Sequence, residues 1–205
     1  MDYGQVASNE AVERVVEGLA ARNVQATVVE RGSDALALIK TWIPAGASVM
    51  NGSSVTLETI GFIDYLKAGE HSWNNLHAAI VAEQYPAKQR QLRRQAVLSD
   101  YYLGSIHALV ETGEFLVASN TASQLPHVVF TSPNLIFVVG MQKIVPTLVD
   151  AFGRLETYVV PKEDEHMKQL YGTGTHLNKV VMFKGENKNS GRTVRMILVR
   201  EALGF

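Results

Sequence analysis

Apolar runs too continuous for a half-exposed strand set the fold class of this chain. Leu135-Ile136-Phe137-Val138-Val139 carries no polar residue on either parity. A strand of that kind needs cover on both faces, which is the condition met in parallel sheets. In the first half such runs alternate with helical patterns. Val12, Val15, Val16 and Leu19 recur at helical spacing behind Ser8 or Asn9 as cap, with Glu10 and Glu13 in the first turns and Asn23 at the end. Residues 26–29 form a β-branched strand, and Gly32-Ser33-Asp34 opens a helix that buries Leu36, Ile39 and Ile43 and stops at Pro44-Ala45-Gly46. Residues 47–50 are the next strand, followed by a helix with Leu57, Ile60, Ile63 and Leu66.

Beyond an irregular stretch at 69–86, the pattern predicts a helix at 87–99 and strands at 106–110, 115–119, 128–130 and 135–139. A short helix at 146–152 closed by Gly153 and another at 161–170 come next. Two last strands, 179–183 and 194–199, flank the polar segment 185–191 as an antiparallel pair. The expectation is an α/β fold, a mostly parallel sheet with helices on both faces. No repeat or linker divides residues 1–205, so they form a single domain.

Composition narrows the chemistry. There is no cysteine among 205 residues, which excludes disulfides, thiol nucleophiles and thiolate-held iron–sulfur clusters within the chain. The six histidines lack metal-ligand spacing, so no metal site is expected. Nineteen basic against 20 acidic residues provide no basic field for nucleic acid or an acidic membrane surface. Neither a signal peptide nor a spanning segment is visible, and the expected location is the cytoplasm.

Three strand ends carry the candidate chemistry, because ligands of open α/β sheets sit beyond the carboxyl ends of strands. Asn51-Gly52-Ser53-Ser54 leads from a strand into a helix bearing Thr56 and Glu58. Free N–H groups and hydroxyls there suit a small anion, while the plain alternative is a helix capped by Ser54. Glu111-Thr112-Gly113 ends another strand, and Glu111 is the candidate base or acyl acceptor; the alternative is a hairpin turn with solvated glutamates. Gly140 closes the 135–139 strand and Lys143 follows three residues later, in reach of an anion over the sheet edge or simply at the surface. Arg90, Arg93 and Arg94 share one helix face, a solvated face or a partner-docking stripe. Gly172-Thr173-Gly174-Thr175 is a weak candidate phosphate loop.

Taken in order, several segments resemble the lactate-utilization (LUD) domain family, formerly a domain of unknown function. They are Asn51-Gly52-Ser53-Ser54-Val55-Thr56-Leu57-Glu58-Thr59-Ile60-Gly61, Leu92-Arg93-Arg94, Ser99-Asp100-Tyr101-Tyr102-Leu103-Gly104-Ser105, Val139-Gly140-Met141-Gln142-Lys143-Ile144-Val145-Pro146 and the final Ile197–Phe205 stretch. The resemblance implies a fold like the sugar-phosphate isomerase/CoA-transferase superfamily and a link to bacterial oxidation of L-lactate to pyruvate. It also implies partner proteins that carry iron–sulfur clusters, and it identifies no cofactor. Two departures stand out. Related chains have Asn where this one has His107, and Gly-Asn-Arg near Ala122-Ser123-Gln124, which removes an arginine able to clamp an anion. The function expected is binding of a small anionic ligand at the strand ends, as a component of lactate oxidation. The alternatives are an acyl or CoA transferase or sugar-phosphate isomerase acting through Glu111, and a non-catalytic scaffold.

Overall fold

The computed structural model describes residues 2–205. Its strands form two sheets. The larger contains β1 (Gln25–Val29), β2 (Ser48–Asn51), β3 (Asn74–Asn75), β4 (Tyr101–Gly104), β7 (Asn134–Gly140) and β10 (Thr193–Val199), in the order β1-β10-β7-β4-β2-β3, with every pair parallel. The smaller contains β5 (Ala108–Val110), β6 (Phe115–Ser119), β8 (Ile144–Val145) and β9 (Lys179–Phe183), in the order β8-β5-β6-β9. There β5 runs parallel to β8, and β6 is antiparallel to both its neighbours.

The continuous apolar strands have the double burial that their sequence requires. On β7, Leu135, Phe137 and Val139 enter one core and Ile136 and Val138 another. The first core lies against α1 (Asn9–Ala21) and the inner face of the smaller sheet, through Val12, Val15, Leu19, Phe115 and Val117. The second lies under α2 (Gly32–Trp42), α3 (Val55–Thr59) and α4 (Phe62–Ala68). A third core fills the outer face of the smaller sheet, against α7 (Leu148–Arg154) and the π-turn Leu155–Val159 that leads into α8 (Val160–Tyr171). The result is an α/β architecture with a mostly parallel sheet flanked by helices, and with a second sheet as an added layer.

Several local expectations change. The last two strands are not a hairpin: β9 joins β6 in the smaller sheet, while β10 sits between β1 and β7 in the larger one. Its fully apolar inner stretch suits a central strand. Residues 128–130 are not a strand but part of the π-turn His127–Thr131. Arg192 explains this, because its guanidinium donates to the carbonyls of His127, Val128, Val129 and Ser132 and so satisfies the groups a sheet would have paired. The irregular stretch contains α5 (Leu76–Ala82), capped by Asn75, and the following helix α6 (Pro86–Gln95) ends earlier than expected. α7 runs through Gly153 instead of stopping there.

One packing detail fixes how α1 crosses the smaller sheet. A Cβ on Gly18 would stand 2.5 Å from the carbonyl carbon and oxygen of Thr112, and a Cβ on Gly113 would stand 2.5 Å from the carbonyl carbon of Gly18. Helix and turn therefore touch backbone to backbone, and only two glycines allow it.

Candidate functional site

The parallel sheet delivers the segments that follow all six of its strands to one carboxyl edge. The chain leaves β2 for α3 on one face and leaves β4 for β5 on the other, so the two loops diverge between neighbouring strands. That divergence is the switch point at which open α/β sheets form crevices.

Lys143 ties this edge together. Its side chain is buried, and Nζ donates to Thr56 Oγ1 at 3.0 Å, Ser105 Oγ at 3.1 Å and the Ile106 carbonyl at 3.2 Å. The two hydroxyls direct their own protons elsewhere, Thr56 to the Leu203 carbonyl and Ser105 to the Val138 carbonyl. Both oxygens can then only accept from Lys143, and three acceptors match the three donors of an ammonium. Burial, and then the Arg154 charge, push Lys143 down to about 7. The hydrogen-bond pattern favours the charged form, so the amine is poised near neutrality with its cation well housed.

The tail after β10 closes the same edge. Gln142 exchanges two hydrogen bonds with the backbone of Leu203, and Gly204, at φ +63°, lies where a Cβ would stand 2.6 Å from Thr56 Oγ1. A second cation lies behind Lys143. Arg154, the last residue of α7, is fully buried and donates through Nη1 to the His107 carbonyl. Its Nε and Nη2 have no partner. Among the described residues, no carboxylate forms an ion pair with Lys143 or Arg154. His107, half-buried just before β5, accepts from the Ala118 N–H through Nδ1 at 3.0 Å. Burial, with the Lys143 and Arg154 charges, pushes it down to about 3, so the ring is neutral.

Of the residues singled out in the sequence, Thr56 and Lys143 meet directly, and Gly140 lies beside them under Leu203. Gly52 faces the Tyr102 hydroxyl, where a Cβ would stand 2.5 Å away, and burial raises the pKa of that phenol. Asn51 is buried with its Oδ1 unpartnered. Ser54 caps α3 by accepting from the Leu57 N–H at 3.3 Å, while Ser53 and Glu58 are exposed.

Glu111, Thr112 and Gly113 lie elsewhere. Five residues of extended chain beyond Ile106 place Glu111 about 17 Å along the smaller sheet. There it pairs with Arg14 of α1 at 2.6 Å, away from the lysine. The segment 172–175 holds a carboxylate rather than offering an anion cradle, since the Thr175 N–H donates to Asp164 Oδ1 at 2.8 Å. Sequence reasoning missed Ser105 and Arg154. Ser105 stood in a matching segment and signalled nothing alone, and Arg154 lay beyond the expected end of the 146–152 helix, with no local pattern to mark it.

An open cleft of about 470 Å³ lies farther along the same edge, past β1 and β10, lined by Arg31, Ser33, Lys40, Gly61 and Glu201. The N-terminus of α2 there is already occupied, because the Gly32 N–H donates to the Glu201 carboxylate at 2.9 Å. No His/Cys/Asp/Glu group able to hold a metal occurs among the described residues, and none of their helices is long and apolar enough to cross a membrane.

Comparison with known proteins gives a consistent result. A solved crystal structure of a DUF162 family protein from Deinococcus radiodurans is similar in fold, with a TM-score of 0.57 and 13% identity, covering 95% of this chain and 99% of that one. No curated protein sequence matches. The LUD domain model matches residues 12–189, a span that includes the Lys143 seam. The chain therefore belongs to the LUD domain family, and that membership supports a role related to lactate utilization.

Proposed function

We propose that this protein binds a small carboxylate- or phosphate-bearing metabolite at the carboxyl edge of its six-stranded sheet and acts in the oxidation of L-lactate. The observation that carries this is the buried Arg154 cation, beside the buried, titratable Lys143 amine, neither with a carboxylate partner among the described residues. Buried charges are ordinarily paired, and an uncompensated one costs several kcal/mol. A bound anion supplies the missing charge. The divergence of the loops after β2 and β4 gives it a place to enter.

A thermal-shift panel of L-lactate, pyruvate, sugar phosphates, nucleotides and coenzyme A, followed by titration calorimetry on any hit, tests the reading. A saturable rise in Tm with at least one carboxylate or phosphate ligand is expected. A panel without a single binder refutes it.

A second reading is favoured by α6. None of its ten residues is buried, and Arg90, Arg93 and Arg94 form no ion pair among the described residues. This helix is a docking face for a partner protein that bears iron–sulfur clusters, chemistry that a cysteine-free chain must leave to others. Charge reversal at Arg93 and Arg94 should weaken such a complex without touching ligand binding.

A further inference from the structure

We propose that Arg154 and His107 together grip the anion, with the free edge of the guanidinium holding two of its oxygens and the imidazole N–H a third contact. This rests on the anion-binding reading above and names the groups that would do the binding.

The argument begins with donors. A guanidinium carries five N–H groups in a planar fork. Nη1 of Arg154 is engaged by the His107 carbonyl, while Nε and Nη2 are both free and the residue is fully buried. Nε–H and one Nη2–H lie side by side on a single edge of the fork, parallel and correctly spaced for two oxygens of a carboxylate or phosphate. The group remains charged near neutrality, since burial pushes it down only to about 10. The Tyr158 ring lies 5.2 Å from the guanidinium and offsets part of the burial cost. A ring face below the fork does not occupy donors in its plane.

His107 adds a donor of fixed identity. Its Nδ1 accepts from the Ala118 N–H, so the single proton of the neutral ring sits on Nε2. That N–H has no protein partner among the described residues, and the ring is half-buried. The Ile106–His107 backbone joins the cluster, with the Ile106 carbonyl on Lys143 and the His107 carbonyl on Arg154. Lys143 has every donor engaged, so it contributes field rather than contact. Three free N–H groups, with the buried Arg154 charge and the titratable Lys143 amine beside them, match an oxyanion. They do not match a neutral or cationic ligand.

Tyr3 packs on Tyr158, with ring centroids 6.0 Å apart, and its hydroxyl lies over Gly153, where a Cβ would stand 2.9 Å away. The side chain of an N-terminal residue thus packs beside the last turn of α7, the turn that carries Arg154.

The test uses inorganic phosphate and pyruvate as probes, each titrated by calorimetry at constant ionic strength. The proteins compared are the parent chain, Arg154→Met, Arg154→Lys and His107→Phe, with thermal melts in anion-free buffer alongside. The parent should bind at least one probe with 1:1 stoichiometry. Arg154→Met should lose affinity ~10-fold or more while melting no lower than the parent without anion, because it replaces an unpaired buried charge with an apolar chain of similar length. Arg154→Lys should fall between, lacking the fork. His107→Phe should also bind ~10-fold more weakly, and it provides the binding readout if Arg154→Met does not fold. Phosphate and pyruvate arms separate a phosphate ligand from a carboxylate one.

Equal probe affinity in the parent and Arg154→Met overturns this inference and leaves the proposed function standing. Phosphate binding that depends on Arg154, with no response to any lactate-pathway carboxylate or panel metabolite, does the reverse. A parent that binds neither probe overturns the inference as well.

Discussion

Gly18→Ala provides a demanding check on the packing. In an ordinary helix interior this change stabilises by ~1 kcal/mol, because alanine restricts the unfolded chain and favours the helix. Here the new Cβ would stand 2.5 Å from the carbonyl carbon and oxygen of Thr112, against about 3.5–4.0 Å for a comfortable contact. Both sides of the contact are backbone, so relief requires moving α1 or the β5–β6 turn by about 1 Å. Overpacking of that kind costs ~1–3 kcal/mol. The movement would also strain the polar contacts that surround the glycines. Arg14 meets Glu111 at 2.6 Å, and Arg22 donates to the carbonyls of Thr112 at 2.8 Å and Lys184 at 2.6 Å. The net expectation is a loss of ~1–2 kcal/mol, or roughly 2–8 °C in Tm for a chain of this size. Urea denaturation with an unchanged m-value measures it. Gly153→Ala is the internal control: its Cβ meets only the end of the Tyr3 side chain, at 2.9 Å, which can swing aside. That variant should be neutral or gain up to ~1 kcal/mol. If Gly18→Ala is as stable as the parent, the reasoning about helix–turn contact is wrong.

Further outcomes follow from the polar interior. His127 is buried between Ser99 and Ser132 and is pushed down to about 4 by burial. The unfolded chain then binds a proton that the folded one refuses between pH 6.5 and about 4, so stability should fall on acidification through that window, by at most ~3 kcal/mol from this group; a flat urea midpoint from pH 7 to 5 refutes it. Lys143→Met leaves the oxygens of Thr56, Ser105 and Ile106 without their donor and should cost ~2–4 kcal/mol by denaturation. Ser54→Ala removes the cap of α3 and should cost about 1 kcal/mol. Glu111→Gln breaks a surface ion pair with Arg14, so a Tm change worth under ~1 kcal/mol with unchanged phosphate or pyruvate affinity is expected; a large loss of binding would restore Glu111 to the site.

The layers were readable wherever periodicity and burial agree. The run 135–139 announced a strand covered on both faces, and Val12, Val15 and Leu19 announced one face of a helix. Lys143 was legible as a strand-end lysine because glycine ends the strand and the lysine follows within one turn. Partners distant in sequence were not legible. Residues 128–130 have strand composition, yet Arg192, more than sixty residues later, takes the carbonyls of Val128 and Val129. Arg154 lies past the expected end of the 146–152 helix, and only the crossing of α7 over β5 buries it. Glu111 shares the local grammar of a catalytic strand end, but β5 points away from the lysine, a direction that no local pattern encodes.

The place of β10 has a consequence for how the chain acquires its structure. β1 pairs with β10 alone, Gln25 with Arg195 through Val29 with Val199. Partners 170 positions apart, such as Arg195 and Gln25, meet only across that pairing. During synthesis β1 therefore emerges long before its one neighbour exists, and β7 waits with one side open until β10 slots in between. Pairings this remote in sequence form slowly and leave unpaired edges on display in the interim. Loss of the last dozen residues would thus remove an interior strand rather than trim the border, and a ribosome stalled near residue 190 would hold β1 with no partner beside a four-stranded β7-β4-β2-β3 remnant.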